Sequence, residues 1–443
     1  MLNRRQLLSA MALAPAAAQS GAKRPNFVFI LTDDQRWDAL GVMGHPCLKT
    51  PNMDRIAREG VRFANAFVTT SLCSPSRASF LTGKYARRHG VKDNLTEVTR
   101  LESFATILQR SGYETAQIGK WHMGESAERP GFSHSVTFPG QGVYNDPVLT
   151  IDGKSQKVPG YLTDLLTDYS VNWIERQRSA PFCLFLGHKA CHLPTIPPPR
   201  HENVCASVAL PKPPSANSDL RGKPAWVSQR ADTKLGGVRR APDYLTVYRK
   251  YLQTLPSVDE GIGRIFESLE RTAQLENTVL IFCGDNGFLH GEHNLTNKRA
   301  AYEESIRIPF LMRYPKAIRP GTVAESMVLN IDLAPTILSL AGLPVPGDMQ
   351  GKSLLPVFRN PRLRLRDRFF YEYFEEPGYI ETPTMEGMRT LRWKYVTYPG
   401  KNDTDELYDL SQDPYELNNL AAGPQTSFVA KIRKEFQDLR RTI

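Results

Sequence analysis

The most chemically distinctive stretch of the sequence contains a cysteine, a proline two residues later and an arginine four residues later. It reads Cys73-Ser-Pro-Ser-Arg77 and is followed by Leu81-Thr-Gly83. A lone cysteine is usually a small core residue, here one that would open a helix. A helix that begins at the Ser76-to-Arg77 segment would instead turn free backbone N–H groups toward an anion. The residues elsewhere in the chain decide between a core thiol and a reactive group.

Acidic and amide side chains follow two apolar runs. Residues 27–32 are followed by Asp33-Asp34, and residues 278–283 are followed one position later by Asp285-Asn286. Short apolar runs of this kind predict buried strands, and open α/β sheets place their sites at the carboxyl ends of such strands. Either pair alone would be an ordinary turn or helix cap. Together, their oxygen-bearing side chains predict a site for calcium or magnesium rather than zinc.

Lysines and histidines complete the set of candidate functional residues. Lys120 and His122 stand two positions apart, and extended backbone would point both side chains to one side. His192 lies shortly before a proline run, and His188 lies four residues earlier. Lys298 precedes a Tyr-Glu-Glu-Ser segment, where it would ordinarily be a solvated helix residue. The net charge of +10, spread along the whole chain, fits a cationic cleft for a small anion.

These motifs together resemble the type I, formylglycine-dependent sulfatase family of the alkaline phosphatase superfamily. The family signature is Cys-x-Pro-x-Arg with a downstream Leu-Thr-Gly, and Lys84 stands where many members have arginine. The resemblance runs from about Asn26 to Asn419. It is closest to bacterial carbohydrate sulfatases, including the glucosamine-6-sulfatase-like group. It implies hydrolysis of sulfate esters on a sulfated sugar or glycan.

The resemblance also implies a role for each residue. Cys73 would be oxidised by a formylglycine-generating enzyme, and one hydroxyl of the hydrated aldehyde would attack sulfur while the other later expels sulfate. His192 would protonate the leaving alcohol with an ordinary pKa near 6.5, and His188 is the competing candidate. The implied catalytic residues are Cys73, Arg77, Lys120, His122, His192 and Lys298. The implied ligands of one calcium ion, with magnesium as the alternative, are Asp33, Asp34, Cys73, Asp285 and Asn286.

The order of the predicted elements favours an α/β fold in two parts. Strands are predicted at residues 27–32, 182–187 and 278–283, and helices at residues 53–59, 104–111, 161–176, 244–272 and 334–341. Later runs predict antiparallel strands at residues 369–374, 387–397 and 406–410, followed by a helix at residues 427–440. We therefore expect a large mixed, mostly parallel sheet flanked by helices, with a smaller C-terminal α+β subdomain built on an antiparallel sheet. The expected boundaries are residues 1–22 for a signal peptide, 23–365 for the catalytic domain and 366–443 for the subdomain.

The first 22 residues are typical of an export leader. Arg4-Arg5 precede the apolar run from Leu7 to Ala18, and three consecutive alanines at its end offer a cleavage site. The paired arginines fit the twin-arginine route, although the general secretory route and a retained anchor remain open. The run is too short for a stable membrane span, and no later run reaches about 18 apolar residues. We expect an exported protein, either periplasmic or secreted.

Charge and cysteine content narrow the remaining classes. The formal net charge is +10, but the basic residues form no block, so no nucleic-acid partner is expected. The six cysteines show no disulfide framework in their spacing, and with Cys73 set aside at least one other should be free. Cys183 and Cys283 lie in apolar runs and are expected in the core.

Two alternative functions remain open at this point. One is a phosphonate or phosphate-ester hydrolase of the same superfamily, since some of these enzymes also use formylglycine beside a metal. The other is a non-catalytic binder of sulfated glycan in which Cys73 stays a thiol. His290 and His293 follow the second acidic pair and are possible substrate contacts in either case.

Overall fold

The computed structural model describes residues 23–125, 128–216, 218–232, 244–379, 381–424 and 426–443, so the predicted signal peptide lies outside the described residues. The strands are β1 Asn26–Thr32, β2 Val61–Phe67, β3 Glu114–Gly119, β4 His134–Thr137, β5 Val148–Ile151, β6 Lys154–Lys157, β7 Phe182–Gly187, β8 Thr278–Gly284, β9 Leu289–His290, β10 Thr296–Asn297, β11 Phe310–Arg313, β12 Thr322–Leu329, β13 Arg368–Tyr373, β14 Met385–Thr390, β15 Trp393–Thr397 and β16 Glu406–Asp409. The helices are α1 Pro51–Arg58, α2 Cys73–Thr82, α3 Ala86–His89, α4 Phe104–Arg110, α5 Leu162–Ile174, α6 Ala225–Asp232, α7 Tyr244–Arg271, α8 Glu303–Ile306, α9 Leu333–Leu340, α10 Leu355–Arg359 and α11 Ser427–Arg440.

Two main sheets organise the described residues. The larger has ten strands in the order β12-β2-β11-β8-β1-β7-β3-β4-β5-β6. It is mostly parallel, with β11 antiparallel to both of its neighbours and β5 antiparallel to β4 and β6. The smaller is the antiparallel sheet β13-β14-β15-β16 near the C-terminus. The predicted fold class is therefore confirmed.

The larger sheet is buried on both faces. In β1, Phe27, Phe29 and Leu31 pack into the core that includes side chains of α2, α4 and α9, whereas Val28 and Ile30 pack into the core that includes side chains of α1, α5 and α7. A strand covered on both sides is apolar at every position rather than at every second one. This explains why the predicted runs at β1, β7 and β8 are continuous and why their ends were predicted to within one residue.

Four adjacent parallel strands of this sheet end at the same level. Strand β1 pairs with β8 up to Thr32 and Gly284, and with β7 up to Leu31 and Gly187. Strand β3 pairs with β7 up to Gly119 and Gly187. The residues that follow these four strands therefore share one edge of the sheet.

Helix α2 leads away from this edge. It begins at Cys73, so the predicted start at the Ser76-to-Arg77 segment is wrong by about one helical turn. Pro75 is tolerated in this first turn, because N–H groups there have no partner within the helix. The helix ends at Gly83, which adopts the left-handed φ of 69° that favours glycine. All ten residues of α2 are buried, which places Cys73 away from bulk water.

The C-terminal sheet corrects one predicted strand. The run at residues 387–397 forms two strands, β14 and β15, paired with Arg389 opposite Lys394. Thr390 makes the turn between them, since its Oγ1 accepts hydrogen bonds from the backbone N–H groups of Trp393 at 2.8 Å and Arg392 at 3.2 Å. A run that is apolar on both sides of such a turn looks like a single strand in sequence.

The cysteines divide into one disulfide and four free thiols. Cys47 and Cys205 are bonded across 158 positions, a pair that their spacing does not predict. Cys73, Cys183, Cys191 and Cys283 are free and buried, which confirms the expected core positions of Cys183 and Cys283. Within the described part of the chain, every helix is too short or too polar to cross a membrane.

Candidate active site

The predicted functional side chains meet at the carboxyl edge of the larger sheet. Asp33-Asp34 follow β1, Asp285-Asn286 follow β8, Lys120 follows β3, and the loop after β7 carries His192. Cys73 reaches the same place from the first turn of α2. The structure brings together all of the predicted catalytic and metal-binding residues, namely Asp33, Asp34, Cys73, Arg77, Lys120, His122, His192, Asp285, Asn286 and Lys298.

The Cys73 thiol lies among charged groups and is fully buried. Lys298 Nζ donates a hydrogen bond to Cys73 Sγ at 2.8 Å, and Sγ lies 3.5 Å from Asp33 Oδ1. Burial, with the nearby charge of Asp33, raises the pKa of the Cys73 thiol to about 12. The unmodified residue therefore holds its proton at neutral pH and is a weak nucleophile.

Three carboxylates form an oxygen-rich cluster. Oxygens of Asp33, Asp34 and Asp285 lie within 4.8 Å of one another, and all three residues are buried. Asp34 Oδ2 and the nearby Asn286 Oδ1 are also buried, yet neither has a hydrogen-bond partner. Burial and the charge of Asp33 raise the pKa of Asp285 to about 6. Close buried carboxylates repel each other, and a bound cation would offset that repulsion. Hard oxygen donors are the ligands that calcium and magnesium prefer.

Two buried lysines contact the same carboxylates. Lys120 Nζ donates to Asp33 Oδ2, and Lys298 Nζ donates to Asp34 Oδ1. Burial opposes the charge of Lys298, but the carboxylate of Asp34 and the group at Cys73 raise its pKa above the ordinary value. Burial would also raise the pKa of Asp33, yet the neighbouring cations, with Lys120 first, hold it well below its usual range. Fixed charges of both signs thus lie beside the sulfur atom.

Arg77 links the carboxylate of Asp285 to the backbone that follows β3. Its Nε donates to Asp285 Oδ2 at 2.9 Å, and one terminal nitrogen donates to the backbone carbonyl of Lys120 at 2.8 Å. The other terminal nitrogen is buried and has no partner. A guanidinium with unused N–H groups in a buried site can donate to the oxygens of an anion.

Lys120 and His122 converge, although not in the predicted way. His122 adopts a left-handed φ of 60°, so the backbone is not extended there and the predicted extended pair is wrong. The two side chains meet through Gln141, whose Oε1 accepts from Lys120 Nζ at 2.6 Å and whose Nε2 lies 2.9 Å from His122 Nε2. Gln141 comes from a loop with no sequence signal, and sequence reasoning missed it.

His192 and His188 occupy different environments. His192 Nδ1 is 2.5 Å from the Leu193 carbonyl oxygen, to which it donates, and its Nε2 faces Asp34 Oδ2 at 3.9 Å. Burial lowers the pKa of His192 well below its ordinary value, so the expectation of an unperturbed pKa is wrong. His188 is buried, neither of its ring nitrogens has a partner, and burial lowers its pKa to about 3. Of the two, His192 lines the cavity beside the carboxylates.

A cavity of about 780 Å³ opens over the site, which we call the active-site cavity. Asp34, His122, His192 and Lys298 lie in its wall. The wall also contains residues that sequence reasoning missed, namely Asn94, Gln141, Lys250, Arg299, Glu376 and Tyr379. Among these residues, only Arg299 had a sequence signal for a place in the cavity, because it directly follows Lys298. The two parts of the chain thus build one cavity, because Glu376 and Tyr379 follow β13 of the C-terminal sheet.

Lys189 is a further residue that sequence reasoning missed. It is buried, its Nζ has no hydrogen-bond partner, and it lies 5.0 Å from the centroid of the Tyr144 ring. Burial lowers its pKa to about 8, and the charge of Lys120 adds to the effect. It supplies one more cation near the edge of the site.

His290 and His293 lie away from the active-site cavity. His290 is packed against the rings of Tyr248, Tyr251 and Phe288, with centroids 4.6 to 4.9 Å apart. His293 stacks on Tyr302 at 3.8 Å. Neither histidine lines the active-site cavity, so contact with the substrate there is not their role.

Comparison with protein families gives two matches along the chain. A model described as sulfatase matches residues 25–343, and a model described as the C-terminal part of N-sulphoglucosamine sulphohydrolase matches residues 291–442. The chain is 34% identical to an N-acetylglucosamine-6-O-sulfatase of Bacteroides thetaiotaomicron, over 98% of this chain and 88% of the relative. It is 31% identical to the human N-acetylglucosamine-6-sulfatase, over 93% of this chain and 84% of the relative.

Solved structures with the same fold were also found. One, in complex with its substrate D-glucosamine-2-N,6-O-disulfate, is 34% identical with a TM-score of 0.87, over 95% of this chain and 97% of that chain. A phosphonate monoester hydrolase of Agrobacterium radiobacter is 22% identical with a TM-score of 0.78, over 95% of this chain and 96% of that chain. The second likeness shows the fold alone.

Proposed function

The chain belongs to the sulfatase family, and from that premise we propose that it hydrolyses the 6-O-sulfate ester of glucosamine units in sulfated glycans, with a formylglycine made from Cys73 and one calcium ion. The observation that carries this proposal is the position of Cys73 at the start of α2, with a buried ammonium 2.8 Å from its sulfur and with Asp33, one member of the three-carboxylate cluster, 3.5 Å away. The substrate class is supported by relatives named for N-acetylglucosamine 6-sulfate and by a neighbour solved with a 6-O-sulfated glucosamine.

The proposed calcium ion would be held by Asp33, Asp34, Asp285 and Asn286, with the residue at position 73 as a further ligand. This fits the buried oxygens of Asp34 and Asn286 that have no partner in the protein. It also fits the raised pKa of Asp285, since a cation would favour the ionised form. When bound, the ion supplies Lewis-acid polarisation of the sulfate group. Magnesium has the same preference for oxygen and is the alternative.

A hydrated formylglycine at position 73 would supply a nucleophilic hydroxyl and a second hydroxyl for the release of sulfate. The residues of the chain around it do the electrostatic work. Lys120, Lys298 and the unpartnered terminal nitrogen of Arg77 present positive charge where the sulfate oxygens would lie. Such preorganised donors lower the energy of the charged transition state because they do not have to reorient.

His192 is the proposed proton donor to the leaving alcohol. Its Nδ1–H is committed to the Leu193 carbonyl, so Nε2 is the atom that faces the cavity. Burial keeps the free ring neutral. The negative charge of a bound sulfate ester favours the imidazolium, so the ring can take up its proton together with the substrate. The alcohol oxygen can then leave as a neutral hydroxyl.

The test of the substrate is sulfate release from glucosamines sulfated at one position each. We expect the 6-O-sulfate to be hydrolysed and the 3-O-sulfate and N-sulfate to be left intact. If the cavity holds the sugar ring in one orientation, only one of its sulfate groups can reach residue 73. Equal rates on all three would contradict the assignment. The turnover rates on an aryl sulfate and on the matching phosphate monoester and phosphate diester should be compared in parallel. Faster turnover of a phosphorus ester would favour the phosphonate or phosphate-ester hydrolase instead.

Export and maturation belong to the same proposal. We propose that residues 1–22 direct export to the periplasm or beyond, and the Cys47–Cys205 disulfide supports an oxidising destination. We also propose a formylglycine-generating enzyme as the maturation partner, which must act on Cys73 before folding because the folded thiol is fully buried. The twin-arginine and general secretory routes differ in whether the protein folds before export, so the route decides where that oxidation takes place.

A further inference from the structure

A second cavity, of about 570 Å³, lies on the other side of the wall that bounds the active-site cavity. The first turns of α7 form part of this wall: Thr246 and Val247 line the active-site cavity, whereas Tyr244 and Tyr248 line the second cavity. His290 also lines the second cavity and is only 3% exposed to solvent. The volume falls in the range of small-molecule sites, about 300 to 1,000 Å³.

The lining of the second cavity holds several polar atoms that have no partner. Five buried side-chain atoms among the described residues are unpaired there: Trp37 Nε1, Tyr244 Oη, His290 Nε2, Glu304 Oε2 and Arg307 Nε. Roughly nine in ten buried polar groups in proteins are hydrogen-bonded, so five exceptions around one cavity indicate a polar occupant. They include both donors and acceptors, which is the pattern that a molecule with several hydroxyl groups satisfies.

The charges in the same lining cancel. Arg36 pairs with Asp38 at 2.8 Å and with Glu292 at 2.5 Å, and Arg389 donates to both oxygens of Glu303 at 3.0 Å. Burial and the charge of Glu292 raise the pKa of Glu304 to about 8, so Glu304 is mostly protonated at neutral pH.

The net charge of the side chains that line the second cavity is therefore small. The lining has three buried or half-buried arginines and one exposed lysine, Lys212. With Glu304 set aside, the arginines are matched by three carboxylates, those of Asp38, Glu292 and Glu303. The active-site cavity differs, because Lys250, Lys298 and Arg299 there outnumber the carboxylates of Asp34 and Glu376. The second cavity is therefore unsuited to a sulfated or phosphorylated group and suited to an uncharged one.

Aromatic rings supply the rest of the surface. Trp37, Tyr244, Tyr248 and Tyr415 line the second cavity together with three prolines of the loop before α6. Ligand sites combine such apolar walls with a few polar atoms that fix orientation. A pyranose has this same division, with C–H groups on its faces and hydroxyls at its rim. Water alone would satisfy the polar atoms but would gain nothing from the rings.

We propose that the second cavity binds one uncharged sugar residue, independently of the active-site cavity. The site does not depend on the proposed hydrolysis, because none of its unpaired atoms belongs to the catalytic set. A sugar can lie there while a sulfate group lies at Cys73.

The test is a calorimetric titration of the full chain with N-acetylglucosamine in the presence and absence of saturating inorganic sulfate. We expect binding with a Kd of about 1 mM that is unchanged by sulfate. The double variant Trp37→Phe/Tyr244→Phe removes one N–H and one O–H but keeps an aromatic ring at each position, and it should weaken binding by about tenfold or more. Lys250→Met, in the wall of the active-site cavity, is the matched control and should bind the sugar as the parent does.

Each other outcome overturns the proposal. Absence of binding, or binding unaffected by the double variant, would mean that the cavity holds water only. Loss of binding in saturating sulfate, or in Lys250→Met, would place the sugar in the active-site cavity. Tighter binding of glucuronate than of N-acetylglucosamine would contradict the charge argument. If the double variant fails to fold, Tyr244→Phe alone, on a half-buried residue, carries the same comparison.

Discussion

Two regions of this molecule treat their buried polar groups in opposite ways. At the active-site edge, Asp34 and Asn286 each bury an oxygen that has no partner, and the carboxylates lie within 4.8 Å of one another. The contrast is with the junction network, which we define as Arg87, Glu372, Glu386 and Arg440. It links α3 to β13, β14 and α11.

Every carboxylate oxygen of the junction network has a donor. Glu372 accepts from the backbone N–H of Arg87 at 3.0 Å and from its Nε at 2.5 Å. Glu386 accepts from Arg87 at 2.8 Å and from Arg440 Nε at 2.5 Å. The junction network therefore ties α3 and α11 to the C-terminal sheet with its own side chains. The active-site edge instead has unpartnered oxygens that the proposed ion and substrate would satisfy. Substitutions at the edge should therefore change activity, and substitutions in the network should change stability.

Cys73→Ala should have the largest effect on activity. The variant removes the proposed nucleophile, and loss of a covalent nucleophile lowers turnover by about 10³-fold or more. It removes little buried volume, so the melting temperature should stay close to that of the parent. Measurement of kcat/KM on an aryl sulfate and of thermal unfolding separates the two. Activity within about tenfold of the parent would end the formylglycine proposal.

Cys73→Ser sharpens the same point. A serine hydroxyl that is not oxidised can attack sulfur once but has no second hydroxyl to expel sulfate. We expect at most one turnover and a serine that carries sulfate, detected by intact mass after incubation with substrate. Sustained turnover by an unoxidised serine would exclude the two-hydroxyl mechanism.

Removal of the proposed calcium ion should lower activity nearly as much as Cys73→Ala does. Chelation followed by addition of calcium should restore activity, because the proposed ligands are all oxygens. Asp285→Ala should reproduce the chelated state. Asp259→Asn is the control, since Asp259 is also a buried acid but accepts hydrogen bonds from the N–H groups that open α1. Recovery with zinc, and not with calcium or magnesium, would show that the ion is of another class.

His192→Ala should slow poor leaving groups selectively. A sugar alkoxide needs a proton almost fully transferred, whereas a nitrophenolate does not, so the loss on a sugar sulfate should be about 10²- to 10⁴-fold and the loss on nitrophenyl sulfate much smaller. Lys298→Ala should slow both substrates together, because its charge acts on the sulfate itself. His188→Ala is the matched comparison. A leaving-group-dependent loss in that variant, with an equal loss on both substrates in His192→Ala, would move the acid role to His188.

Arg87→Met should have the smallest effect on chemistry and a large one on stability. It leaves Glu372, whose side chain is fully buried, without its charged donor. Breaking a buried pair costs about 3 kcal/mol or more, seen as a lower midpoint in urea, while turnover by the folded enzyme is unchanged. Arg441→Met is the control, since that pair with Asp438 is 77% and 56% exposed and contributes about 0 to 1 kcal/mol. Equal stability of the two variants would contradict the contrast between the regions.

The sequence predicts the catalytic edge better than it predicts the walls of the cavity. The functional residues at the ends of β1 and β8 follow continuous apolar runs. Such runs are easily recognised in the sequence as buried strands, and they are continuous because both faces of the sheet are covered. Strand β3 escaped prediction because Glu114 and Gln117 interrupt its apolar pattern. The conformation around His122 could not be predicted, because a left-handed φ at a residue other than glycine depends on tertiary contacts.

The long-range partners were out of reach for a different reason. Gln141 joins Lys120 to His122 from a loop, and Glu376 reaches the cavity from beyond β13. The Cys47–Cys205 bond spans 158 positions with no spacing signal. Nothing local in a sequence records which distant loop will lie over a sheet edge. The lowered pKa of His192 likewise follows from burial, which its motif does not show.

The most direct test of the central claim is the mass of the proteolytic peptide that contains Cys73, isolated from protein that turns over a sulfate ester. We expect a peptide that is lighter than the encoded one by the difference between a CH₂SH group and an aldehyde, and that reacts with a hydrazide probe. The fraction of modified peptide should match the fraction of active sites. An unmodified cysteine in a fully active preparation would show that formylglycine is not the nucleophile.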